Sequence, residues 1–272
     1  MKKNSKNEFW SLLPNSLVAV MDIMGFSAVL ENNDTDRART ILADTVLNCF
    51  SEVKKAGRLD RVIPKNVERK EVLKKINAER EKMEITVFSD TAVFIMPNIQ
   101  LNNRNQLLAF YCTTTRAVET FFDNGFPVQC RIEHGDFLFN EKNRIIIGRA
   151  FSNAYRHAEN MGYSGIEISD NAIIKSFGNP TELKTKQLLN IYGIAKTEVP
   201  DREGNFHSAY CIDWHSGSYE IKGQQIDLRQ QLIEKFTMHG KTINARVLSK
   251  LDHTELLIRQ SWMHCLLDED IT

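Results

Sequence analysis

Two apolar runs, each carrying one aspartate, constrain this chain more than any other feature. The first is Val18-Ala-Val-Met-Asp22-Ile-Met-Gly-Phe-Ser27. It reads as a strand that delivers a carboxylate to the edge of a sheet, followed by a turn whose backbone N–H groups can face phosphate. The second is Glu84-Ile-Thr-Val-Phe-Ser-Asp90-Thr-Ala-Val-Phe-Ile95. It reads as a hairpin with Asp90 at the tip and strands over Glu84–Val87 and Ala92–Met96. Two carboxylates on neighbouring strands can hold two divalent ions over a nucleoside triphosphate.

The rest of the chain bounds the class. With 272 residues it is long enough for one or two domains and a sizeable core. Its 35 basic and 35 acidic side chains give no overall attraction to nucleic acid or to a membrane surface. No apolar run approaches a membrane span, and Met1-Lys-Lys-Asn-Ser-Lys6 has no signal-peptide core, so the expected location is cytoplasmic. Cys49, Cys112, Cys130, Cys211 and Cys265 are scattered and never spaced as Cys-x-x-Cys. They read as reduced core thiols rather than a disulfide or zinc framework.

Along the chain, Leu17–Ile23 is a buried strand and Asp34–Val53 an amphipathic helix capped by Asp34 or Thr35. Lys54–Lys82 is basic, is broken by Pro64 and contains no aromatic residue. It reads as a solvated insertion or exposed helical hairpin rather than a nucleic-acid surface. Asn105–Phe122 is a helix stopped at Gly125, and Pro127–Phe139 with Arg144–Gly148 a second hairpin. Ala150–Asn160 is helical, Gly165–Ser169 a strand and Asp170–Ser176 helical again. Leu189–Lys196 and Ser208–Asp213 read as late strands, and Gln224–Leu267 as mostly helical with a break near Gly240. Hairpins mixed with helices argue for an α+β fold with a mixed or largely antiparallel sheet.

Four short patterns then occur in a telling order: Asp22-Ile-Met-Gly-Phe-Ser27, Phe88-Ser-Asp90, Cys130-Arg-Ile-Glu-His-Gly135-Asp and Gly148-Arg-Ala-Phe-Ser152-Asn-Ala-Tyr-Arg156. The series resembles the class III nucleotidyl cyclase catalytic domain over roughly residues 15–215. The resemblance implies a ferredoxin-like, mostly antiparallel sheet with helices packed on it. It divides the chain into a catalytic domain at 1–215, with the basic insertion 54–82, and a C-terminal helical extension at 216–272. It implies that Asp22, Asp90 and the carbonyl of Ile23 hold two Mg²⁺ or Mn²⁺ ions. Ile23, Met24, Gly25, Phe26 and Ser27 then border the phosphates, and Lys196 meets the triphosphate. Arg156 becomes the arginine at the α-phosphate. Ser152 stands where such cyclases usually carry asparagine, with Asn153 beside it; one helical residue turns a side chain by about 100°. One copy of the series implies a homodimer with two shared sites.

Thr86 and Ile145 occupy the positions at which purine cyclases carry their base-reading pair, and neither matches the adenine or the guanine pattern. The chain is therefore most similar to the pyrimidine nucleotide cyclases of bacterial antiphage defence, the Pycsar cyclases. That resemblance implies cyclic CMP or cyclic UMP made from CTP or UTP as a second messenger for a separate effector, with no nucleic-acid or membrane partner. An adenylyl or guanylyl cyclase with an unusual base pocket, and a nucleotide-binding domain without chemistry, stay open as alternatives. His134 and Asp136, two residues apart with no third ligand nearby, read as structural, as does Arg131. No Gly-x-x-x-x-Gly-Lys-Ser, Gly-x-Gly-x-x-Gly or Gly-x-Ser-x-Gly motif occurs.

Overall fold

A computed structural model describes residues 10–55, 69–140, 142–143, 145–215 and 227–268. Strand β1 (Trp10–Ile23) leads into α1 (Phe26–Asn32) and α2 (Thr35–Thr40). A π-helical turn at Ile41–Val46 joins α2 to α3 (Leu47–Lys55). The single helix expected at Asp34–Val53 is thus segmented, and Asp34 is its cap: the carboxylate accepts from the Arg37 amide at 2.8 Å. After α4 (Arg69–Arg80) come the hairpin β2 (Glu84–Phe88) and β3 (Thr91–Met96), α5 (Arg104–Asp123) and β4 (Val128–Asn140). Strand β1 is longer than Leu17–Ile23 because its first half pairs with the end of β4 as a ribbon, Trp10 opposite Asn140.

These elements form one unit. Strands β2-β3-β1-β4 lie in that order with every neighbour antiparallel, and helices connect β1 to β2 and β3 to β4. That is the ferredoxin-like β-α-β-β-α-β arrangement. It continues through β5 (Ile145–Ile147), α6 (Arg149–Asn160), β6 (Gly165–Ile168), α7 (Asp170–Phe177), α8 (Leu183–Ile191), β7 (Ile194–Pro200) and β8 (Phe206–Ile212). Strand β6 adds parallel to β4, and β8 and β7 add antiparallel beyond it. The result is a mixed eight-stranded sheet, and the α+β expectation holds.

The main core lies on the α5 face, where Met21, Phe94, Phe110, Phe121 and Cys130 pack. On the other face, Ala150, Ala154 and Ala158 of α6 are buried at fourfold spacing. The close approach of α6 depends on Gly135, where a Cβ would come within 2.8 Å of the Ala150 Cβ. His134 and Asp136 do structural work, as expected. The His134 Nε2 lies 2.8 Å from Asn15 Oδ1, and the Asn15 amide donates to Asp136 at 2.7 Å, pinning the β1 irregularity between Leu13 and Ser16. Arg131 is likewise tied to Glu167 at 2.9 Å and Glu133 at 3.0 Å.

Two expectations need correction. Leu189–Lys196 is not one strand: Leu189 is buried at the end of α8, Gly193 turns at φ 65, and β7 starts only at Ile194. A short apolar run has no period long enough to separate helix from strand. Lys54–Lys82 is not wholly exposed either. Residues 56–68 lie outside the described residues, but α4 buries Ile76 completely against the main core with Val72 and Leu73 beside it. Long basic side chains hide such a narrow stripe in the sequence.

The C-terminal segment is helical with a break, as expected: α9 (Leu228–Thr237), a 3₁₀ turn at Met238–Gly240 and α10 (Ala245–Asp268). Leu228, Leu232, Phe236, Leu251 and Ile258 join the main core cluster. Cys49, Cys112, Cys130 and Cys211 are buried in the core, and Cys265 lies outside the described side chains. Among the described residues no helix is long and apolar enough to cross a membrane.

Candidate active site

Asp22 and Asp90 meet because of strand register. Asp22 pairs with Thr91 at the end of β1, and Asp90 sits just before Thr91 at the β2–β3 tip. The tip is a two-residue turn in which Ser89 takes φ 55. The Ile23 amide donates to the Asp90 carbonyl at 2.8 Å, and the Met24 amide to the Pro127 carbonyl at 2.8 Å. Burial, reinforced by the Asp90 charge, pushes the Asp22 carboxyl up to about 6; Glu159 adds to the rise and Lys250 opposes it.

Both aspartates line a cavity of about 580 Å³. Ile23, Met24, Gly25, Phe26 and Ser27 line it too, so the structure brings seven of the expected residues together. One detail differs from the expected phosphate loop: the Met24 amide is already used by Pro127. Gly25, at φ 77, lets the chain turn from β1 into α1. A Cβ there would also come within 2.8 Å of Lys241 Cδ.

The remaining expected residues lie elsewhere. Arg156 is exposed on α6 and donates to Asn153 Oδ1 at 2.9 Å and to the Ser152 carbonyl at 3.3 Å. Asn153, not Ser152, thereby holds the guanidinium through its side chain. Thr86 is buried on the α6 side of the sheet opposite Val93, and its hydroxyl has no hydrogen-bond partner among the described residues. Ile145 is exposed at the far end of the β1–β4 ribbon. Lys196 lies on β7, the edge strand furthest from β2, with its ammonium 5.2 Å from the centre of the Tyr210 ring. None of these five side chains lines the cavity of its own chain.

The cavity contains residues that the sequence did not disclose. Lys241, Thr242, Asn244, Arg246, Val247 and Lys250 enter from the C-terminal segment, and Glu31, Glu159 and Arg202 complete the charged lining. Lys241 and Lys250 are only 7% and 8% exposed. Burial pulls both ammonium groups down to about 8; Arg246 and Arg202 depress Lys250 further, against the pull of Asp22. A signal existed for Lys250: it shares the buried stripe of α10 with Val247, Leu251, Thr254 and Ile258.

The donor set suits hard divalent cations. Two carboxylates converge, neither with a cationic partner at salt-bridge distance among the described residues, and burial, with the Asp90 charge second, raises Asp22. No group of three or more His, Cys, Asp or Glu side chains that could hold a metal occurs among the described residues. Mg²⁺ characteristically takes one or two carboxylates and completes its shell with substrate phosphates and water.

No family model matches the chain, and no curated protein matches it. Several solved structures are distantly similar. The catalytic core of a rhodopsin-guanylyl cyclase with converted specificity, in complex with ATPαS, aligns over 75% of this chain and 97% of its own at 12% identity and a TM-score of 0.45. The adenylyl cyclase CyaB from P. aeruginosa aligns over 75% and 95% at 14% identity and a TM-score of 0.44. A bacterial light-regulated adenylyl cyclase aligns over 75% and 92% at 11% identity and a TM-score of 0.44. At these scores the likenesses are distant, and the fold assignment stands on the strand order itself.

Proposed function

We propose that this protein is a metal-dependent nucleotidyl cyclase of the class III type that converts a pyrimidine nucleoside triphosphate, UTP or CTP, to its 3′,5′-cyclic monophosphate and pyrophosphate. One observation carries the reading: Asp22 and Asp90 converge at one end of a ferredoxin-like sheet on a cavity of about 580 Å³. The order of the four sequence patterns supports it.

In this reading Asp22, Asp90 and the Ile23 carbonyl hold Mg²⁺ or Mn²⁺. The bound ions supply Lewis-acid stabilisation of the polyphosphate and of the attacking oxygen. The loop Gly25–Ser27 borders the phosphates. The ribose 3′-oxygen bonds to the α-phosphorus, the bond from that phosphorus to the β-phosphate oxygen breaks, and pyrophosphate departs; the hydroxyl proton goes to solvent. Charge grows on the α-phosphate oxygens, where a fixed guanidinium is most effective. Arg156 does not line the cavity of its own chain, so this role falls to Arg156 of the partner subunit, with Ser152 beside it on the same helix; Lys196, also assigned to the partner, lies on the other face of the sheet. In this reading residues 1–215 are the catalytic domain and 216–272 a C-terminal extension, of which α9 and α10 contribute Leu228, Leu232, Phe236, Leu251 and Ile258 to the main core.

A homodimer is supported by an apolar ladder on the ribbon. Trp10, Leu12, Leu138, Ile145 and Ile147 are all exposed, and register puts Leu12, Leu138 and Ile147 side by side. Contiguous exposed apolar surface of this kind marks association. The pyrimidine preference is supported by Thr86 and Ile145, which lack the groups that read purines. The product then serves as a second messenger for a separate effector, the antiphage role that goes with such cyclases.

The test is direct. Purified protein with Mn²⁺ and CTP, UTP, ATP and GTP at equal concentration is expected to yield cyclic CMP or cyclic UMP by mass. Dominant cyclic AMP or cyclic GMP overturns the pyrimidine reading and leaves the cyclase. No cyclic product from any nucleotide overturns the cyclase.

A further inference from the structure

The cavity has two chemically different sides. Asp22, Asp90, Glu159 and Glu31 come from the sheet, from α6 and from α1; Lys241, Arg246 and Lys250 come from the C-terminal segment, with Arg202 beside them. Lys241 and Lys250 are the unusual members. Each is more than nine-tenths buried, and each meets only neutral groups: Lys241 donates to the Gly125 carbonyl, and at 3.4 Å to that of Lys235, and lies 5.5 Å from the centre of the Phe126 ring, while Lys250 donates to Gln129 Oε1 at 2.8 Å. No carboxylate of the described residues stands at salt-bridge distance from either. A buried ammonium without an anion is costly to the fold. The arrangement is balanced once an anion enters the cavity.

The segment is also fastened where it would have to be. Asn33 Nδ2 donates to the His239 carbonyl at 2.8 Å, and Asn32 Nδ2 to the Gly240 carbonyl at 3.0 Å. The His239 ring stacks on Phe126 with ring centres 4.8 Å apart, and its Nε2 lies 2.7 Å from the Asn124 carbonyl. The Lys241 stem passes so close to Gly25 that a methyl group there would collide with it. Lys250 is held from the other side by the buried α10 stripe.

We propose that the C-terminal segment, through Lys241 and Lys250 with Arg246 and Arg202 at the rim, is the wall that receives the polyphosphate of a nucleotide whose metal-binding edge is Asp22 and Asp90. The extension is thereby part of the site, in the same chain as the aspartates. This rests on the nucleotide reading above. Lysine ammonium groups suit it because they are compact point charges that need no bidentate geometry to meet phosphate oxygens.

The experiment uses the full chain and inorganic tripolyphosphate with Mg²⁺, followed by calorimetry, so that no turnover is needed. The wild type is expected to bind, and the double variant Lys241→Met/Lys250→Met to bind at least about tenfold more weakly. Lys250→Arg is expected to keep most of the affinity, and Lys184→Met on the exposed face of α8 all of it. Thermal melting separates this role from a structural one. Without ligand, the double variant is expected to melt no lower than the wild type, because it loses buried charge. Should it fail to melt cooperatively, single Lys250→Met is read in the same way. Wild-type affinity in a folded variant overturns the proposal, and so does a wild type that ignores tripolyphosphate. Binding that depends on the lysines, with no cyclic product from any nucleotide, sinks the cyclase reading alone. Unimpaired cyclisation and binding in the double variant sinks this wall alone.

Discussion

The amide of Ile23 donates to the carbonyl of Asp90 across 2.8 Å. That bond joins the end of β1 to the tip of the β2–β3 hairpin, so the carboxylates of Asp22 and Asp90 share one edge of the cavity. Burial, with the repulsion of Asp90 added to it, holds Asp22 partly protonated near pH 6 when no cation is present. Cation binding and the ionisation of Asp22 are therefore linked, and each favours the other.

Asp22→Asn and Asp90→Asn are each expected to abolish pyrophosphate release while leaving the circular dichroism spectrum unchanged. The amide keeps the shape of the side chain and removes the charge that holds a cation. Full activity in either variant counts against the metal assignment.

Stability should reveal the same strain. Asp22 has a folded-state value raised to about 6, so the neutral form suits the fold. Its stabilising contribution is complete below the unfolded value of 3.8 and is lost as pH rises through about 6. In the presence of a chelator, Asp22→Asn should therefore be more stable than the wild type at pH 8, by about 1–2 kcal/mol after allowance for solvent screening. At pH 4 the two should be closely matched. Denaturant unfolding at both pH values checks this, and an equal difference at each would contradict it.

Complementation tests the shared site. Neither Asp22→Ala nor Arg156→Ala is expected to be active alone. Mixing them should restore one intact site per heterodimer, about a quarter of the wild-type rate if exchange is random and only heterodimers work. A heterodimer verified by native mass spectrometry but without activity would place Arg156 outside the chemistry.

Gly25→Ala should be damaging although it adds one methyl group. The position has φ 77, and the new Cβ would press on the Lys241 stem. We expect a loss of about 1–3 kcal/mol in stability together with weaker tripolyphosphate binding by calorimetry. Gly204→Ala shares the positive φ but meets nothing within 4 Å. It should cost only the backbone term and leave binding intact.

Ile76→Ala tests the placement of α4. Ile76 is fully buried in the main core, so its truncation should destabilise by about 2–5 kcal/mol. A change below about 0.5 kcal/mol, the level of surface substitutions, would return this helix to the solvent.

What the sequence determined by itself is local. The run Val18–Met21 specifies a buried strand, the Ser89-Asp90 turn a hairpin, and Ala150–Asn160 a helix. Each depends on periods and turn residues within a dozen positions of one another. The order of those units was enough to bring Asp22, Asp90 and the loop Ile23–Ser27 into one expectation, and register then joined them. Tertiary structure alone decided the rest. Lys241 and Lys250 lie more than 200 residues from Asp22, and no local pattern states that a lysine on a helical stripe will face a carboxylate from the first strand. Only the packing of Leu251 and Ile258 into the core sets the rotation of α10 and turns Lys250 inward. The same holds for Lys196, whose distance from the cavity follows from the insertion of β6 and β8 between β4 and β7. Strand order is a long-range choice made by the whole sheet, and helix rotation by the whole core.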